Sequence, residues 1–408
     1  MPRQIVHVSY QDPDHLLGGQ GWAVYNLAKA QVRNGGLVYW ISPCIKYEQP
    51  GEFLYENGSL KVIKLKFTDE FVSSLFANGA EIHRLRVKFG DLAVDFIKHF
   101  FDPSECVVHL HGFIETPRRS SELRAAGYPA ISTFHMLLSS RNQAMGTGDG
   151  VFLEQQRLEC LAIEANSIIT VPSSGMKEEI LKIAPEFNGI VECVRNGIGD
   201  EFFSLPITPS AAGENVFLSY GRISPEKGYD LVIEAAGEIQ DLSRNRIFVD
   251  YKFIIFGNTD FSIQARKVYA DNLLSQSQKY KNISFLASET GILGAEKIRI
   301  IDRCTLAIIP SLYEPFGMVI PEIMARGKPV ITTMTSGSKD IMQSNKFGKN
   351  DFGFIVKPKS GAIAEAIVWM LDHPDESRKM GENAFIRARE FNWNSVAYEF
   401  DQLYWNRG

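Results

Sequence analysis

The chain has 408 residues, of which 45% are hydrophobic and 22% are charged, and its formal net charge is −5 at pH 7. This length suits two globular domains, and the composition excludes an extensively disordered protein. The negative charge argues against a protein built to hold nucleic acid.

Five cysteines are scattered through the chain, and none occurs in a C-x-x-C spacing. This pattern predicts free thiols in a reducing compartment rather than a disulfide framework or a zinc site. The sequence contains no signal-peptide core and no run of about 18 apolar residues. We therefore expect a cytoplasmic protein, and a peripheral contact with the inner face of the membrane stays open.

In the first half of the chain, short apolar segments alternate with helical patterns such as WAVYNLAKAQVRNGG. This alternation predicts a parallel sheet with helices on both faces. Strands are predicted at IVHVSY (5–10), LVYWIS (37–42), CVVHLHG (106–112), AISTFH (130–135) and SIITVP (167–172).

The same alternation restarts after a stretch rich in Gly, Pro and Ser, which we interpret as an interdomain linker. Strands are predicted at 215–224, 251–257, 282–287, 306–311, 328–333 and 352–357. The sequence thus predicts two Rossmann-like α/β domains that face each other across a cleft. The predicted parts are an N-terminal domain (1–195), a linker (196–213), a C-terminal domain (214–387) and a closing helix (388–408) that packs back on the first domain.

In such sheets ligands bind beyond the carboxyl ends of the strands. Gly18 and Gly19 lie between the first strand and the first helix, where they either leave the helix N-terminus open to an anion or form a simple turn. His109 and His111 alternate along one strand and share a face, and His135 ends the next strand. A structural role for these histidines is equally plausible, and a metal site is disfavoured because no H-E-x-x-H motif or carboxylate-rich partner set accompanies them.

Two further motifs follow strands of the second half. In GRISPEKG (221–228), Arg222 and Lys227 flank a turn and can converge on a phosphate, unless they are two solvated surface charges. In YEPFGMVIPE (313–322), Glu314 lies in a loop and Glu322 on the first turns of a helix, with backbone N–H groups between them to face a diphosphate. The alternative is a capped helix with an incidental acidic pair.

These stretches together resemble the family 4 retaining glycosyltransferases, which have the GT-B fold. The most specific pieces are GRISPEKG and the E-x7-E element EPFGMVIPE, and the GG turn, HLHG, TFH and RNGI support them. The resemblance covers most of the chain and is weakest over residues 45–105.

The resemblance implies a role for each matching residue. The diphosphate of a nucleotide-sugar donor is held by the two cations of GRISPEKG, the ribose by the second acid of E-x7-E, and the sugar and its phosphate by the first acid with the backbone that follows. The implied catalytic residues are His111, as the histidine that contacts the transferred sugar, with Glu314, Arg222 and Lys227. The implied donor-binding residues are Gly19, Arg222, Lys227, Glu314, Phe316, Gly317, Met318, Val319 and Glu322.

The implied reaction moves a hexose from a nucleoside diphosphate sugar, expected to be a UDP-sugar, to a saccharide or lipid-linked saccharide, in polysaccharide or exopolysaccharide assembly. Fixed cations and N–H groups can stabilise the leaving diphosphate, so neither a metal nor another cofactor is expected. The Asp12-Pro13-Asp14 string is interpreted as a loop feature. In this family the leaving phosphate helps to deprotonate the acceptor, so no protein base is assigned and Glu314 is not a nucleophile by virtue of being a carboxylate.

Two other functions remain as alternatives: a UDP-sugar epimerase of the same fold and a non-catalytic nucleotide-sugar binding protein. A nicotinamide oxidoreductase is remote, because neither half carries the full glycine fingerprint. The acceptor is expected on the N-terminal domain, where the segment 81–100 is amphipathic. It either faces an acceptor or a membrane or, as we favour, packs on its own sheet with solvated charges.

Overall fold

The computed structural model describes residues 4–16, 18–45, 48–68, 80–112, 114–146, 149–207, 215–242, 251–259 and 264–405. It divides into two compact units, one formed by Met1–Gly197 with Trp393–Gly408 and the other by Ile198–Asn392. Residues 208–213 of the predicted linker and 406–408 of the predicted closing helix lie outside the described residues.

The first unit contains an eight-stranded sheet in the order β3-β4-β2-β1-β5-β6-β7-β8. Neighbouring strands are parallel, except that β3 runs antiparallel to β4 at one edge. The strands are β1 Gln4–Val8, β2 Leu37–Pro43, β3 Gly51–Tyr55, β4 Leu60–Leu65, β5 Cys106–Gly112, β6 Ala130–Phe134, β7 Ile168–Val171 and β8 Ile190–Cys193. The helices, numbered in chain order through both units, are α1 Gly19–Arg33, α2 Ala80–Phe100, α3 Ser120–Ala125, α4 Leu138–Ala144, α5 Asp149–Glu164, α6 Ser174–Ile183 and the last helix, α15 Trp393–Trp405.

Helix α2 packs on the sheet of its own unit through an apolar stripe. Leu85, Phe89 and Ile97 belong to the same buried cluster as strand residues such as Val108, as expected for apolar positions spaced three to four apart. The amphipathic segment 81–100 therefore buries its apolar face against its own sheet.

Helix α15 also packs on the first unit. Its residues Val396, Phe400 and Tyr404 share a buried cluster with Ile5 of β1 and Leu27 of α1. The end of the chain thereby reaches the central strands of this sheet.

The second unit contains a seven-stranded sheet in the order β11-β10-β9-β12-β13-β15-β14. Only the edge strand β14 is antiparallel to its neighbour. The strands are β9 Asn215–Tyr220, β10 Tyr251–Asn258, β11 Ile283–Ser288, β12 Leu306–Ile309, β13 Val330–Thr333, β14 Gly348–Asn350 and β15 Gly353–Val356. The helices are α7 Glu201–Ser204, α8 Tyr229–Leu242, α9 Gln264–Ser277, α10 Gly294–Arg303, α11 Val319–Met324, α12 Ser336–Ile341, α13 Ser360–Asp372 and α14 Pro374–Ala388.

A buried guanidinium ties the start of the second unit to its core. Arg326 Nε and Nη2 bind the two oxygens of Asp302 at 2.7 and 2.9 Å. Its remaining N–H groups donate to the carbonyl oxygens of Phe202, Leu205 and Pro206 at 2.8–2.9 Å. All five guanidinium hydrogens thus have an acceptor, which allows the charge to be buried.

Each sheet has one point at which the direction of winding reverses. In the first unit, β1 has β2 on one side and β5 on the other. In the second unit, β9 likewise has β10 on one side and β12 on the other. Ligands of open α/β sheets bind beyond the carboxyl ends of strands at such a point. The motif GRISPEKG directly follows β9, EPFGMVIPE begins at Glu314 in the loop after β12, and HLHG ends β5. Among the described helices, none is long and apolar enough to cross a membrane.

Candidate active site

The turn after β9 and the loop after β12 are joined in the second unit. The Leu312 N–H donates to the carbonyl oxygen of Glu226 at 2.8 Å, and Lys227 Nζ forms an ion pair with the Glu314 carboxylate. Gly228 has a φ of 65°, and a Cβ there would lie 2.5 Å from the Pro310 carbonyl oxygen. Only glycine suits this close approach. The structure therefore brings together two predicted site residues that are 87 positions apart in the sequence.

Arg222 is held by a buried carboxylate of its own motif. Its Nη2 binds Glu226 Oε1 at 2.8 Å, and the Glu226 side chain is only 4% exposed. Glu226 was not among the predicted site residues, and because Arg222 lies outside the short helical turn Pro225–Lys227, no helical spacing relates the two residues. The pair restricts the guanidinium to one region beside the β9 turn.

Glu322 is anchored through one of its two oxygens. Its Oε2 accepts a hydrogen bond from the Tyr220 hydroxyl at 2.6 Å and lies 3.1 Å from Lys297 Nζ. Burial, followed by the charge of Glu322, raises the pKa of Tyr220 well above its usual value, so the hydroxyl remains a donor. Within the described part of the chain, Oε1 has no hydrogen-bond partner and is available to a ligand. Lys297, on α10, was missed because nothing in the sequence links it to Glu322.

The loop between the two acids is shaped by glycines. Gly317 has a φ of 92°, and a Cβ there would lie 2.8 Å from Glu314 Cγ. The Gly337 N–H donates to the Glu314 carbonyl oxygen at 3.0 Å. The N–H groups of Gly317 and Met318 make no hydrogen bond to any described residue. They are therefore free for an anionic ligand, as the sequence suggested.

The other predicted residues of this loop have structural side chains. The ring of Phe316 is buried and packs on Phe391 at 5.8 Å between ring centroids. Val319, the first residue of α11, is half-buried beside the turn at Gly221, where a Cβ would lie 3.7 Å from its Cγ2. Phe316 can thus face a ligand only through its backbone.

In the first unit, four histidines form a cluster at the ends of β1, β5 and β6. His7 Nδ1 lies 2.9 Å from His111 Nε2, and His111 Nδ1 lies 3.1 Å from His135 Nε2. His111 is 1% exposed, and both of its ring nitrogens are used. The predicted direct contact of His111 with the sugar does not fit this geometry. His135 is half-buried, and its Nδ1 has no partner among the described residues.

The ring nitrogens of His7, His109 and His111 lie within 4.8 Å of one another, a separation at which a metal ion could bridge them. However, His7 Nε2 binds Gln31 Oε1 at 2.7 Å. His109 binds the Tyr404 hydroxyl and Thr133 Oγ1, each at 2.6 Å. Every nitrogen of the three rings is hydrogen-bonded within the protein, so these residues do not fit a metal centre.

Burial holds the four imidazoles neutral. Desolvation lowers the pKa of His7 to about 4 and that of His135 to about 3. It also lowers the pKa of His109 and His111 well below the ordinary value, and the neighbouring histidines add to the effect. Each ring therefore carries one hydrogen and offers one lone pair at neutral pH.

The loop after β1 contains an ion-pair cluster. Lys64 Nζ lies 3.3 Å from Asp12 Oδ1, 2.9 Å from Asp14 Oδ2 and within ion-pair distance of Glu48. Asp12, His15 and Glu48 are spaced closely enough to ligate a metal. The Lys64 ammonium already supplies the positive charge there, which agrees with interpreting Asp12-Pro13-Asp14 as a loop feature.

The glycine turn of the first unit carries unsatisfied polar groups. Helix α1 begins at the exposed Gly19. The side-chain amides of Gln11 and Gln20 are buried there and have no hydrogen-bond partner among the residues that the structure describes, and a Cβ at Gly21 would overlap the Gln11 amide. Buried amides without partners are rare and mark a position where a ligand could complete them.

A polar cavity of about 260 Å³ lies beside the carboxyl end of β5. Within it, the buried Glu115 binds the Tyr10 hydroxyl at 3.2 Å and His83 Nδ1 at 2.7 Å. The exposed Arg118 has no side-chain partner among the described residues. The lining residues are His83, Val87, Asp91, Ile114, Glu115, Arg118 and Arg119. None of them was predicted as a site residue.

Comparison with known proteins supports the fold, and one family model matches the part of the chain that contains the second-unit site. Residues 201–387 match the family model described as Glycosyl transferases group 1. The chain is 23% identical to a glycogen synthase of Mycobacterium tuberculosis over 98% of this chain and 94% of the relative. It is 24% identical to an uncharacterized glycosyltransferase of Methanocaldococcus jannaschii over 98% and 97% of the two chains.

Among solved structures, a sucrose-phosphate synthase of Thermosynechococcus elongatus superposes with a TM-score of 0.79 at 20% identity, covering 98% of both chains. A UDP-forming trehalose-phosphate synthase of Burkholderia xenovorans gives a TM-score of 0.76 at 12% identity over 98% of this chain and 99% of that chain. These similarities show that the chain has the GT-B fold and is an enzyme of the glycosyltransferase class.

Proposed function

We propose that the protein is a retaining hexosyltransferase that uses a nucleoside diphosphate sugar, with UDP as the expected nucleotide, and a saccharide or lipid-linked saccharide acceptor. The setting we propose is polysaccharide or exopolysaccharide assembly. The observation that carries the proposal is the arrangement in the second unit, where the turn with Arg222 and Lys227 lies beside the loop that bears Glu314 and leads into α11 with Glu322.

The ion pairs of this site suggest how a donor is held. A diphosphate carries more negative charge than one carboxylate, so it competes with Glu314 for Lys227 and with Glu226 for Arg222. Glu314, released from the ammonium, can accept a hydrogen bond from a sugar hydroxyl. Glu322 keeps Oε2 on Tyr220 and Lys297 and offers Oε1 to the ribose.

The same cations account for the proposed rate acceleration. Negative charge grows on the leaving diphosphate as the glycosidic bond to the donor phosphate breaks. Lys227, Arg222 and the free N–H groups of Gly317 and Met318 are already oriented, so they stabilise that charge without further rearrangement. A protein metal site is not needed for this step.

In the first unit we assign the ligand-facing histidine to His135 rather than His111. Its Nδ1 lies at a half-buried edge and has no partner among the described residues, whereas both nitrogens of His111 are occupied. A neutral imidazole acceptor suits a hydroxyl and repels an anionic phosphate.

We place acceptor hydroxyls in the cavity of the first unit. Its lining carries both signs of charge, with the cations of Arg118 and Arg119 and the carboxylates of Asp91 and Glu115. A neutral polyol can both donate to the carboxylates and accept from the cations, whereas an anion would meet the two acids. The cavity therefore favours a saccharide over a phosphate group.

The test is a donor screen by mass spectrometry on the purified protein, with UDP-, GDP- and ADP-hexoses and mixed saccharide acceptors. Transfer with retained anomeric configuration supports the proposal, and conversion of the donor sugar without an acceptor would identify an epimerase. No turnover of any donor, with binding alone, would identify a non-catalytic protein. EDTA should leave the rate unchanged, and an EDTA-sensitive rate that magnesium restores would contradict metal-independent transfer.

Lys227→Ala should lower kcat by about 10²- to 10³-fold, the usual loss when one oriented transition-state contact is removed. Lys279→Ala is the matched control, because Lys279 is an exposed lysine of the same unit. Equal kinetics for the two variants would argue against the phosphate site.

A further inference from the structure

A single glutamine stands at the origin of two hydrogen-bond chains in the first unit. Gln31, on α1, is 1% exposed. Its Oε1 lies 2.7 Å from His7 Nε2, and its Nε2 donates to the Tyr404 hydroxyl at 3.2 Å. Tyr404 belongs to α15, so the Gln31 amide links α1 to the last helix of the fold.

The first chain runs from Gln31 to the ligand-facing edge. Because the amide oxygen can only accept, His7 must carry its hydrogen on Nε2. A neutral His7 then has a lone pair on Nδ1, which accepts from His111 Nε2–H at 2.9 Å. By the same reasoning His111 Nδ1 accepts from His135 Nε2–H at 3.1 Å, and His135 is left with its lone pair on Nδ1.

The second chain has the matching direction. The Tyr404 hydroxyl accepts from the Gln31 amide, so its own hydrogen is free to point at His109 Nδ1, 2.6 Å away. His109 then donates from Nε2 to Thr133 Oγ1 at 2.6 Å. Thr133 donates in turn to Thr170 Oγ1 at 2.5 Å.

Only one other arrangement satisfies every group in the two hydrogen-bond series. In it the Gln31 amide is flipped, and each hydrogen lies on the other atom of its hydrogen bond. In that state His135 would present Nδ1–H, which is a donor, in place of a lone pair. A neutral imidazole cannot donate at both nitrogens, so an intermediate arrangement leaves a buried atom unsatisfied. The direction of the amide therefore decides what the ligand meets at His135.

We propose that Gln31, held by Tyr404, is a positioning residue that fixes the Nε2–H tautomer of His7, His111 and His135 together, so that His135 offers a hydrogen-bond acceptor to a sugar hydroxyl. The identity of the ligand group rests on the proposed function, but the tautomers do not. Gln31 acts through the two rings between it and His135.

The experiment measures tautomers directly in the full chain labelled with 15N, without substrate. Long-range 1H–15N correlation spectra distinguish a protonated from an unprotonated ring nitrogen, and single His→Gln variants assign the eight histidines. We expect Nε2–H in His7, His111 and His135 at neutral pH. Nδ1–H in any of the three would overturn the proposal.

Gln31→Leu removes the amide that accepts from His7 Nε2. The three histidines, which each have one tautomer in the unchanged protein, should then populate a mixture of both tautomers. Should that variant not fold, Gln31→Glu retains an acceptor for His7 and removes the donor to Tyr404. His7 should then keep its Nε2 hydrogen, while His109 gains a hydrogen on Nδ1. Thr170→Val, which alters only the far end of the second chain, is the control and should leave the three tautomers unchanged.

Unchanged tautomers in His7, His111 and His135 with Gln31→Leu, or an unchanged His109 with Gln31→Glu, would refute the positioning role. The outcomes also separate this proposal from the proposed function. Correct tautomers in a protein that transfers no sugar would reject only the transferase proposal. Active transfer by a protein with the opposite tautomers would reject only the role of Gln31.

Discussion

Replacement of Arg326 tests how the second unit holds its site together. Arg326 and Asp302 are each 1% exposed, and Arg326 also binds three carbonyl oxygens of residues 202–206. Asp302 lies on α10, the helix that carries Lys297, and Arg326 follows α11, the helix that carries Glu322. The pair therefore joins the two helices whose side chains meet at the proposed ribose position.

Arg326→Met removes the hydrogen bonds that the guanidinium donates to the buried Asp302 carboxylate and to three carbonyl oxygens. Removing one partner of a buried, fully hydrogen-bonded pair destabilises a protein by about 3–5 kcal/mol. Because about 1.4 kcal/mol corresponds to a tenfold change in an equilibrium constant, opening of the second unit should become about 10²- to 4 × 10³-fold more frequent. Arg326→Lys keeps the charge but not the planar fork, so we expect a smaller loss.

The assay is native-state amide hydrogen exchange with mass spectrometry, which reports on each unit separately. Peptides from β12 and β13 should exchange faster in Arg326→Met, and those from β1 and β5 should not change. Arg378→Met is the control, since Arg378 pairs with Asp375 at 2.8 Å on an exposed surface and such pairs contribute about 0–1 kcal/mol. A change below about tenfold at β12 and β13, or a change in both units alike, would refute the reasoning.

Three further predictions concern the site and the buried histidines. Lys297→Met should raise the donor KM by about tenfold with little change in kcat. For a donor that lacks the ribose hydroxyls, the variant should raise KM by less, and an equal rise for both donors would contradict the assignment of Glu322 and Lys297 to the ribose. Arg118→Ala should raise the acceptor KM by about tenfold and leave hydrolysis of the donor unchanged, whereas Lys88→Ala, which removes an exposed charge of α2, should change neither. The pKa of His7 is lowered from 6.5 to about 4, so between these pH values the unfolded state binds more protons than the folded state. For each such histidine, the free energy of unfolding of the first unit should therefore fall by up to about 1.4 kcal/mol per pH unit as the pH falls below about 6.5. Burial raises the pKa of Glu159 to about 7, and this shift stabilises the folded state as the pH falls, opposite to the effect of the histidines. Urea unfolding should therefore be measured in Glu159→Gln, which removes that carboxyl group. An unchanged urea midpoint between about pH 7 and pH 5 would contradict the buried, neutral histidines.

Local sequence determined most strands and the residues at their ends. Alternation of apolar segments and helical patterns is a short-range property, and the predicted strands correspond to β1, β2, β5, β6 and β7 in the first unit. Strands β3, β4 and β8 of the first unit and the edge strand β14 of the second unit were missed. The burial pattern of β3 is almost entirely exposed, so it has no apolar signal to detect.

The contacts of the site were decided by tertiary structure. Glu226 meets Arg222 through the conformation of the turn after β9, which residue spacing does not give. Lys297 reaches Glu322 only because α10 and α11 are joined by Asp302 and Arg326. His111 was chosen because the family resemblance implied it. Its position at a strand end gives the face of the side chain but not whether its nitrogens are already used.

The longest-range case is Gln31, whose amide meets Tyr404 at a separation of 373 residues. A sequence specifies which groups can donate and accept through the residue types alone. Which donor meets which acceptor depends on strand order and helix packing, because these bring distant segments within hydrogen-bond distance, where burial makes each unsatisfied group costly. The residue types of this site were therefore evident from the sequence, whereas the availability of each atom to a ligand was fixed only by the fold.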